Sequence, residues 1–232
     1  MNTRINSPTS SRSIVIADLG TGNLHSVKKA VEYVADGRPV TITHDPEVIG
    51  NADYLVLPGQ GAIGTWLAQL AASADLEAAI KFRILNGPCL GICLGLQALF
   101  EYSEENGGCK GLGVLNGSVC HFSAQWSSMR ANGLCSQDLR LKIPHMGWNE
   151  VHQTQAHPLW QGIKDRERFY FVHSYFAQST TESHVVGQCE YGHRFTAAAA
   201  TGNIFATQFH PEKSQSAGLQ ILKNFVNWNG DF

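Results

Sequence analysis

The sequence lacks a long apolar segment, a secretory signal and a surplus of basic residues. No run reaches the roughly 18 apolar residues that a transmembrane helix needs, so we expect no membrane-spanning segment. Residues 1–12 read MNTRINSPTSSR, without the apolar core of a signal peptide, and we interpret them as a flexible tail. The 17 lysine and arginine residues are outnumbered by 19 acidic ones, which argues against nonspecific binding to nucleic acid or to an anionic membrane.

The cysteine pattern also excludes several kinds of site. Of the six cysteines, no two are spaced C-x-x-C, so the sequence predicts neither a zinc ribbon nor a thioredoxin-type site. The even number would allow disulfides, but a chain of 232 residues without an export signal favours reduced thiols. We therefore expect a cytoplasmic protein, and we expect no bound metal.

The composition suits one globular domain, which we assign to residues 13–232. Hydrophobic residues make up 43 % of the chain and charged residues 16 %, which is enough apolar material for a sizeable core. A length of 232 residues fits one large domain better than two small ones.

The first hundred residues alternate between predicted strands and helices. Ser13–Leu19 is a short Ile- and Val-rich run, which is typical of a buried strand, and Asn23 is placed to cap a helix whose apolar face begins at Leu24. Similar apolar runs lie at 39–43, 53–57 and 88–92, with helical patterns over 62–72, 76–85 and 94–100. This alternation predicts a parallel sheet with helical crossovers.

After residue 110 the pattern changes to short strands separated by Gly, Asn and Ser, which favours antiparallel pairing. Residues 123–142 lack clear periodicity, and we interpret them as a surface excursion, with a short hairpin as the alternative. The predicted strands are 112–122, 150–152, 169–175, 184–190, 195–199 and 205–209, and a last helix begins near Ser214. The predicted fold class is α/β: an open mixed sheet, mostly parallel, flanked by helices, with additional antiparallel strands in the C-terminal half.

The segment Gly91-Ile92-Cys93-Leu94-Gly95 has the G-x-nucleophile-x-G form of a nucleophile elbow, with Cys in the place of Ser. The two glycines remove side chains that would collide where a strand turns sharply into a helix. At the helix N-terminus the dipole favours a thiolate, and the Leu94 amide points towards any oxyanion that forms beside the sulfur. The alternative is a buried structural cysteine in a glycine-rich turn.

A candidate base and its orienting acid lie in the segment QFHPEKS, residues 208–214. His210 and Glu212 project to the same side of an extended stretch, so Glu212 could orient the imidazole while His210 exchanges a proton with Cys93. Taken alone, the segment is better explained as a helix start in which Glu212 favours the N-terminal dipole. Beside the elbow, a Cys-His-Glu triad is the better interpretation.

Two further glycine-containing turns differ in what they predict. Residues 58–61 (PGQG) follow a strand, and their amides could supply the second half of an oxyanion hole; an ordinary turn is the alternative. Gly20-x-Gly22 lacks the third glycine of a dinucleotide fingerprint because His25 stands at that position, which excludes NAD binding.

With these segments in this order, the sequence resembles the class I, or triad, glutamine amidotransferases, whose two hallmark motifs correspond to GICLGLQ and FHPEKS. The segments ADLGTGNLHSV, PHMGWNEV, FYFVHSY and ATQFHPEKSQSAG look like those of the glutaminase subunits of imidazole glycerol phosphate synthases. The resemblance covers residues 13–228. It implies the amidotransferase-like open sheet of this family, with neither an organic nor a metal cofactor.

The resemblance implies hydrolysis of L-glutamine to L-glutamate and ammonia. Cys93 would form a thioester with the side-chain carbonyl, and His210 and Glu212 would complete the triad. The amides of Leu94 and Gln60 would form the oxyanion hole. Five residues would hold the substrate: Gly61, Gln97, Glu105, Ser174 and Tyr175.

The resemblance also implies a partner, a (β/α)₈-barrel cyclase subunit with which the chain forms a heterodimer. Ammonia would pass to that subunit, which makes imidazole glycerol phosphate and an aminoimidazole carboxamide ribotide in histidine biosynthesis. Asn23, Trp148 and Lys213 are candidates for the interface, and their alternative roles are helix capping, core packing and solvation, respectively. We interpret His145 and Cys89 as structural residues.

Three features depart from the pattern of the family. The tail at 1–12 and the stretch at 123–142 are longer than usual, and Gln60 stands where valine is common. In the longer stretch, Trp126 and Met129 are candidates to cover part of the surface. If the stretch lay on the partner face, it would imply a different partner.

Three other functions compete with this one. A subunit that supplies ammonia to a sugar amidase of surface-polysaccharide synthesis would keep the chemistry and change the acceptor. A non-catalytic interaction subunit is disfavoured because Cys93, His210 and Glu212 are all intact. A free-standing cysteine hydrolase of the gamma-glutamyl kind is disfavoured by the PHMGWN match.

Overall fold

The computed structural model of the chain describes residues 12–132 and 141–232. Apart from Arg12, the predicted tail at 1–12 therefore lies outside the described residues. Of the stretch at 123–142, residues 133–140 also lie outside them.

The N-terminal half alternates strands and helices, as the sequence predicts. Its elements are β1 (Ile14–Ala17), α1 (Leu24–Val34), β2 (Val40–Thr43), α2 (Pro46–Gly50), β3 (Tyr54–Leu57), α3 (Ile63–Ala71), α4 (Ala74–Asn86), β4 (Cys89–Ile92) and α5 (Leu94–Leu99). The first crossover helix begins where the sequence placed its cap, because the side-chain oxygen of Asn23 accepts a hydrogen bond from the Ser26 amide at 3.2 Å.

The C-terminal half consists mainly of short strands and ends in a long helix. Its elements are β5 (Phe100–Ser103), β6 (Cys109–Lys110), β7 (Leu115–His121), α6 (Phe122–Ala131), β8 (His145–Gln153), β9 (Glu167–His173), β10 (Tyr175–Ser179), β11 (Val185–Glu190), β12 (Arg194–Thr201), β13 (Ile204–Thr207) and α7 (Gln215–Asn227). Single 3₁₀ turns lie at Glu105–Gly107, Pro158–Trp160, Glu182–His184 and Pro211–Lys213.

The strands form one sheet whose main path runs β2-β1-β3-β4-β13-β12-β10-β7-β5-β6. From β2 to β13 every pairing is parallel. Strands β1, β3, β4 and β13 are buried along their whole length, as expected for a parallel sheet covered on both faces. The predicted parallel half is confirmed.

Beyond β13 the sheet becomes mainly antiparallel. Strand β12 pairs antiparallel with β13 and β10, and β10 pairs antiparallel with β7. A branch of β11, β8 and β9 leaves the main path at β12, again with antiparallel pairing. The pairing of β5 with β7 is parallel. The predicted mixed sheet, with added antiparallel strands in the second half, is confirmed.

The apolar core forms one layer on each face of the sheet. Ile14 and Ile16 of β1 share a cluster with buried residues of α1 and α7. Val15 and Ala17 belong to a second cluster, together with buried residues of α3 and α4. Successive residues of a strand point to opposite faces, so a four-residue strand contributes to both layers.

The interpretation of 123–142 as a surface excursion or hairpin is wrong for its first part, which forms helix α6. Phe122 and Trp126 lie one turn apart on the buried face of α6, and they are 0 % and 4 % exposed. Trp126 is therefore a core residue, whereas Met129 is half-buried at the surface. With only two apolar residues on an otherwise polar helix, the hydrophobic periodicity is too weak to predict the helix from the sequence.

Other elements also differ from the sequence prediction, and the strands β5, β6 and β10 were not predicted. The short helix α2 was not predicted; Asp45 caps it and Pro46 begins it, but five residues are too few to show periodicity. Strand β8 begins at His145, five residues before the predicted strand at 150–152. Its first half is held by hydrogen bonds to β9 rather than by burial, so its sequence does not alternate as a half-buried strand would.

No helix within the described ranges is long and apolar enough to cross a membrane.

Burial suppresses the protonation of His157, which packs among the rings of Phe205, Trp228 and Phe232. The side chain is 6 % exposed, and burial lowers its pKa from 6.5 to about 4. Its Nδ1 accepts a hydrogen bond from the Leu159 amide at 3.0 Å, at the start of a 3₁₀ turn.

We expect this burial to make stability depend on pH. The unfolded chain protonates His157 near pH 6.5 and the folded chain only near pH 4, so the free energy of unfolding falls between these values as pH decreases. The contribution is on the order of 3 kcal/mol, since one pKa unit corresponds to about 1.4 kcal/mol. His157→Asn keeps a capping acceptor and does not titrate, so its urea unfolding between pH 7 and pH 4 should show a shallower fall. Substitution of the exposed His25 by Asn is the control, and equal slopes for wild type and His157→Asn would contradict the prediction.

Candidate active site

Cys93 lies at the sharp turn between β4 and α5, with backbone angles φ 55° and ψ −100°. A positive φ is strained for a residue with a side chain. The flanking glycines are required by close contacts: a Cβ at Gly91 would lie 2.9 Å from the Cβ of Ala206, and one at Gly95 would lie 1.8 Å from the Leu57 carbonyl oxygen. The glycines allow the elbow to form in the narrow space between β3 and β13.

The elbow is fixed by backbone hydrogen bonds on both sides. The Cys93 amide donates to the carbonyl of Thr207 at 2.7 Å, and the Cys93 carbonyl accepts from the Gln97 amide at 3.1 Å. The Cys93 residue is only 5 % exposed, and it lines a cavity. The cavity lies outside the carboxyl ends of the parallel strands, where α/β sheets usually bind their ligands.

His210 and Glu212 follow β13 and form a buried pair. The imidazole Nδ1 lies 2.9 Å from Oε1 of Glu212, and both side chains are 1 % exposed. The His210 amide donates to the Tyr170 carbonyl at 2.9 Å, which fixes the backbone at His210. Because Nδ1 faces the carboxylate, the second ring nitrogen, which is buried, is left for Cys93.

The surroundings of His210 favour its protonated form. Burial alone lowers the pKa of His210, but the charge of Cys93 and hydrogen bonding to Cys93 and Glu212 outweigh it. The net pKa rises from 6.5 to about 10. A raised pKa favours the imidazolium, which is the form that donates a proton to a leaving amine.

The cavity beside Cys93 has a volume of about 400 Å³, enough for a small polar molecule. It brings together the predicted nucleophile, both residues predicted to form the oxyanion hole and all five predicted to hold the substrate. The lining residues are Gln60, Gly61, Cys93, Leu94, Gln97, Glu105, Pro144, Val172, His173, Ser174 and Tyr175. The roles of the individual residues stay predictions.

Two of the lining side chains are held in place by backbone groups. Oε2 of Glu105 accepts a hydrogen bond from the Ile63 amide at 2.9 Å, so the carboxylate is fixed at the cavity wall. Nε2 of Gln97 donates to the Tyr175 carbonyl at 3.0 Å. Glu105 therefore presents negative charge and Gln97 an acceptor oxygen, and both features suit a ligand with an ammonium group.

The turn at 58–61 packs directly on the elbow. The Leu94 amide donates to the carbonyl of Gly59 at 3.4 Å, so this predicted oxyanion donor is already engaged. A Cβ at Gly59 would lie 2.7 Å from the Cβ of Leu94 and 2.8 Å from Cδ1 of Trp66, so only glycine fits. An oxyanion beside Cys93 would have to replace the Gly59 carbonyl as the acceptor.

The three interface candidates have different surroundings. Asn23 caps α1, which explains its presence without a partner. Trp148 is 39 % exposed and is therefore not a core residue, and its neighbour Met146 is 62 % exposed. Lys213 places its ammonium 5.9 Å from the ring centre of Tyr170, which in turn contacts the ring of Trp148. The interface roles stay predictions.

Sequence reasoning missed one residue of the site. Gln208 is fully buried, and its Nε2 lies 3.6 Å from Sγ of Cys93. A usable signal was present, because positions 208 and 210 of an extended segment face the same side. His145 and Cys89, interpreted as structural, are both buried, at 3 % and 0 % exposure.

Comparison with known proteins supports a close relationship to two curated proteins. The chain is 51 % identical over 217 residues to imidazole glycerol phosphate synthase subunit HisH of Thiobacillus denitrificans, covering 93 % of this chain and 91 % of that protein. It is 46 % identical over 218 residues to the subunit of the same name from Acinetobacter baylyi, covering 93 % of this chain and 98 % of that protein.

A solved structure shares the fold at low sequence identity. The CTPS glutaminase domain of Trypanosoma brucei superimposes with a TM-score of 0.60 at 12 % identity, covering 94 % of each chain. The sequence model of the family described as glutamine amidotransferase class-I matches residues 15–228, nearly the whole chain. The chain therefore belongs to the class-I glutamine amidotransferase family.

Proposed function

We propose that this chain is the glutaminase subunit of an imidazole glycerol phosphate synthase, acting in histidine biosynthesis. It hydrolyses L-glutamine to L-glutamate and ammonia and delivers the ammonia to a (β/α)₈ cyclase subunit. The observation that carries the proposal is the buried His210–Glu212 pair, 2.9 Å apart, beside a cysteine on a strained elbow that opens into a cavity. The relatives named as subunits of the synthase favour this acceptor over a polysaccharide sugar.

The first half of the reaction acylates the enzyme. Sγ of Cys93 attacks the side-chain carbonyl carbon of glutamine, and the carbonyl oxygen takes up the negative charge of a tetrahedral intermediate. When the carbon–nitrogen bond breaks, the imidazolium of His210 donates its proton to the departing amine, which leaves as ammonia. The product is a γ-glutamyl thioester on Cys93, and Glu212 keeps the ring aligned throughout.

The second half releases glutamate. A water molecule attacks the thioester carbonyl while the neutral His210 ring takes a proton from it. The carbon–sulfur bond then breaks, the thiolate of Cys93 is restored beside an imidazolium, and glutamate carries the oxygen of the water. No cofactor is needed for either half, since each step moves only a proton and an electron pair.

The cavity residues supply the binding of free glutamine. The carboxylate of Glu105 is placed to attract the α-ammonium group, and the oxygen of Gln97 is placed to accept a hydrogen bond. Gly61, Ser174 and Tyr175 complete the wall around the substrate.

The oxyanion hole is the part that is not ready in this structure. We infer that the amides of Leu94 and Gln60 stabilise the intermediate once the turn at 58–61 moves away from the elbow. The support is the hydrogen bond between the Leu94 amide and the Gly59 carbonyl, which occupies the donor that the oxyanion needs.

A docking face for the cyclase fits the exposed end of β8. Met146 and Trp148 expose apolar surface there, and Lys213 adds a positive charge held near Tyr170. Large exposed apolar side chains of this kind mark interaction surfaces. Asn23 remains a candidate at the start of α1.

We also propose that residues 13–232 form a single domain and that the protein acts in the cytoplasm. The single sheet that includes every described strand supports the first proposal. The second is supported by the five described cysteines, all of which are free thiols.

We expect the isolated chain to hydrolyse glutamine slowly and the complex with a cyclase subunit and its nucleotide to hydrolyse it at least about a hundredfold faster. The reason is that the Leu94 amide is occupied, and one missing oxyanion donor costs roughly a hundredfold in rate. Glutamate release should be measured for the chain alone, with the cyclase, and with the cyclase and nucleotide. Equal rates in the three samples would overturn the expectation.

We expect Cys93→Ala to abolish glutamine-dependent synthesis by the complex and to leave ammonia-dependent synthesis intact. The substitution removes the nucleophile but leaves the acceptor site on the partner. Product formation should be followed with glutamine and with ammonium salt as alternative nitrogen donors. Cys89→Ala is the matched control, because it removes a buried thiol from the strand that precedes the elbow, and Cys89 does not line the cavity. Loss of both activities in Cys93→Ala would assign the residue a structural role.

We expect Cys93→Ala also to lower the pKa of His210, because Cys93 is the strongest of the influences that raise it. The wild-type ring should stay protonated well above pH 7 and lose its proton as pH rises towards about 10. Histidine side-chain nitrogen shifts measured by NMR across pH 6 to 10 report this directly. A His210 that titrates at the same pH in both proteins would exclude the thiolate–imidazolium pair.

A further inference from the structure

Gln208 is a buried amide that none of the steps above uses. Its side chain is 0 % exposed and lies at the end of β13, between the strand and His210. A buried amide is costly unless both of its polar ends are hydrogen-bonded. Its Nε2 donates to Sγ of Cys93 at 3.6 Å, and its Oε1 accepts from Nε2 of Gln97 at 3.2 Å.

The direction of this hydrogen-bond chain follows from a backbone group. The Tyr175 carbonyl can only accept, so the side chain of Gln97 must turn its NH₂ group towards it, at 3.0 Å. The same NH₂ group meets Gln208, which must therefore present its oxygen to Gln97. Only the NH₂ end of Gln208 is then left to face the sulfur of Cys93.

The Tyr175 carbonyl is itself held by a second chain of donors. It accepts a hydrogen bond from Nδ1 of His173 at 2.7 Å. The other ring nitrogen of His173, Nε2, lies 2.9 Å from Nδ1 of His145. Nε2 of His145 accepts from the side chain of Asn149 at 3.2 Å. Burial lowers the pKa of His145 to about 4 and that of His173 to about 3, so both rings stay neutral and their tautomers stay fixed.

We infer that Gln208 is a positioning residue for the nucleophile: its NH₂ group holds the sulfur of Cys93 in place for attack and stabilises negative charge on it. The inference rests on the proposed glutaminase function. A hydrogen bond donated to an anion favours the anion, and the sulfur is anionic before attack and again when the thioester breaks. The imidazole of His210 serves the same sulfur, so Cys93 is held by two groups that come from one segment, 208–210.

Gln208→Met is the direct test, because methionine has a similar length and no donor. We expect the pH profile of Cys93 alkylation by iodoacetamide, followed by mass spectrometry of the Cys93 peptide, to move about one unit to higher pH. We expect kcat/KM for glutamine in the complex to fall at least about tenfold, with most of the loss in kcat, since hydrogen bonds to charged groups are worth about a factor of ten or more.

A second variant replaces the hydrogen-bond donor by a negative charge and keeps the size of the side chain. Gln208→Glu places a carboxylate next to the sulfur, and it should move the alkylation profile further to higher pH than Gln208→Met does. The other titratable groups that face the cavity beside Cys93 are Glu105, His173 and Tyr175, and the pair of His210 and Glu212 lies next to the elbow; all five are unchanged in both variants. Asn203→Leu is the matched control, because its amide donates to the Ile84 carbonyl at 2.7 Å at the far end of β13. It should lower stability without moving the profile.

A folded Gln208→Met with the wild-type alkylation profile and wild-type kcat would overturn the inference. Where a variant does not fold, the NMR signals of the Gln208 side-chain amide in the wild-type protein test the inference. Alkylation of Cys93 should shift these signals, and unchanged signals would overturn the inference too. The alkylation readout does not depend on glutamine hydrolysis. A wild-type complex without glutaminase activity would therefore refute the proposed function while leaving the role of Gln208 towards the thiol open to the same measurement.

Discussion

The parallel pairing of β4 with β13 is the constraint on which the site depends. Its register sets Ile92 beside Thr207, and the Cys93 amide continues the pairing with a 2.7 Å hydrogen bond to the Thr207 carbonyl. Cys93 and His210, the proposed nucleophile and base, are far apart along the chain but thereby follow two neighbouring strands at the same edge of the sheet. A slip of one residue would turn Gln208 and His210 to the opposite face and leave the thiol without either of them.

The sequence predicted the structure well where sterics requires a short motif or where apolar residues follow the pattern of a strand. The glycines of the elbow were predictable because sterics dictates their spacing, and the pair at 210 and 212 was predictable only beside the elbow. The predicted extended stretch at that pair is wrong, because Pro211–Lys213 forms a 3₁₀ turn that begins after His210. The parallel and antiparallel halves of the sheet followed from the change in pattern near residue 110. By contrast, α6 shows only Phe122 and Trp126 on its buried face, and the start of β8 depends on its partner strand. For Gln208 the sequence offered only its position two residues before His210, and its contact with Cys93, 115 residues away, depends on the register of β13.

Some parts of the site have the geometry that the proposed reaction needs, and one part does not. His210 is buried and paired with Glu212, and the cavity beside Cys93 is open, but the Leu94 amide, the proposed oxyanion donor, is bonded to the Gly59 carbonyl. In the proposed mechanism, control of the reaction therefore depends on the four-residue turn at 58–61 rather than on Cys93, His210 and Glu212. Such an arrangement suits an enzyme whose product is consumed on another subunit, since ammonia released without an acceptor is lost.

The glycines at 91 and 95 carry a consequence for how this protein can change. Elsewhere in a chain, replacing glycine by alanine often increases stability because the unfolded state loses conformational freedom. At these two positions alanine cannot replace glycine, because the added methyl group would clash with Ala206 or with the Leu57 carbonyl. Selection for heat tolerance must therefore act at positions outside the elbow. The conformational entropy that its two glycines lose on folding stays a cost in stability as long as the protein keeps this turn.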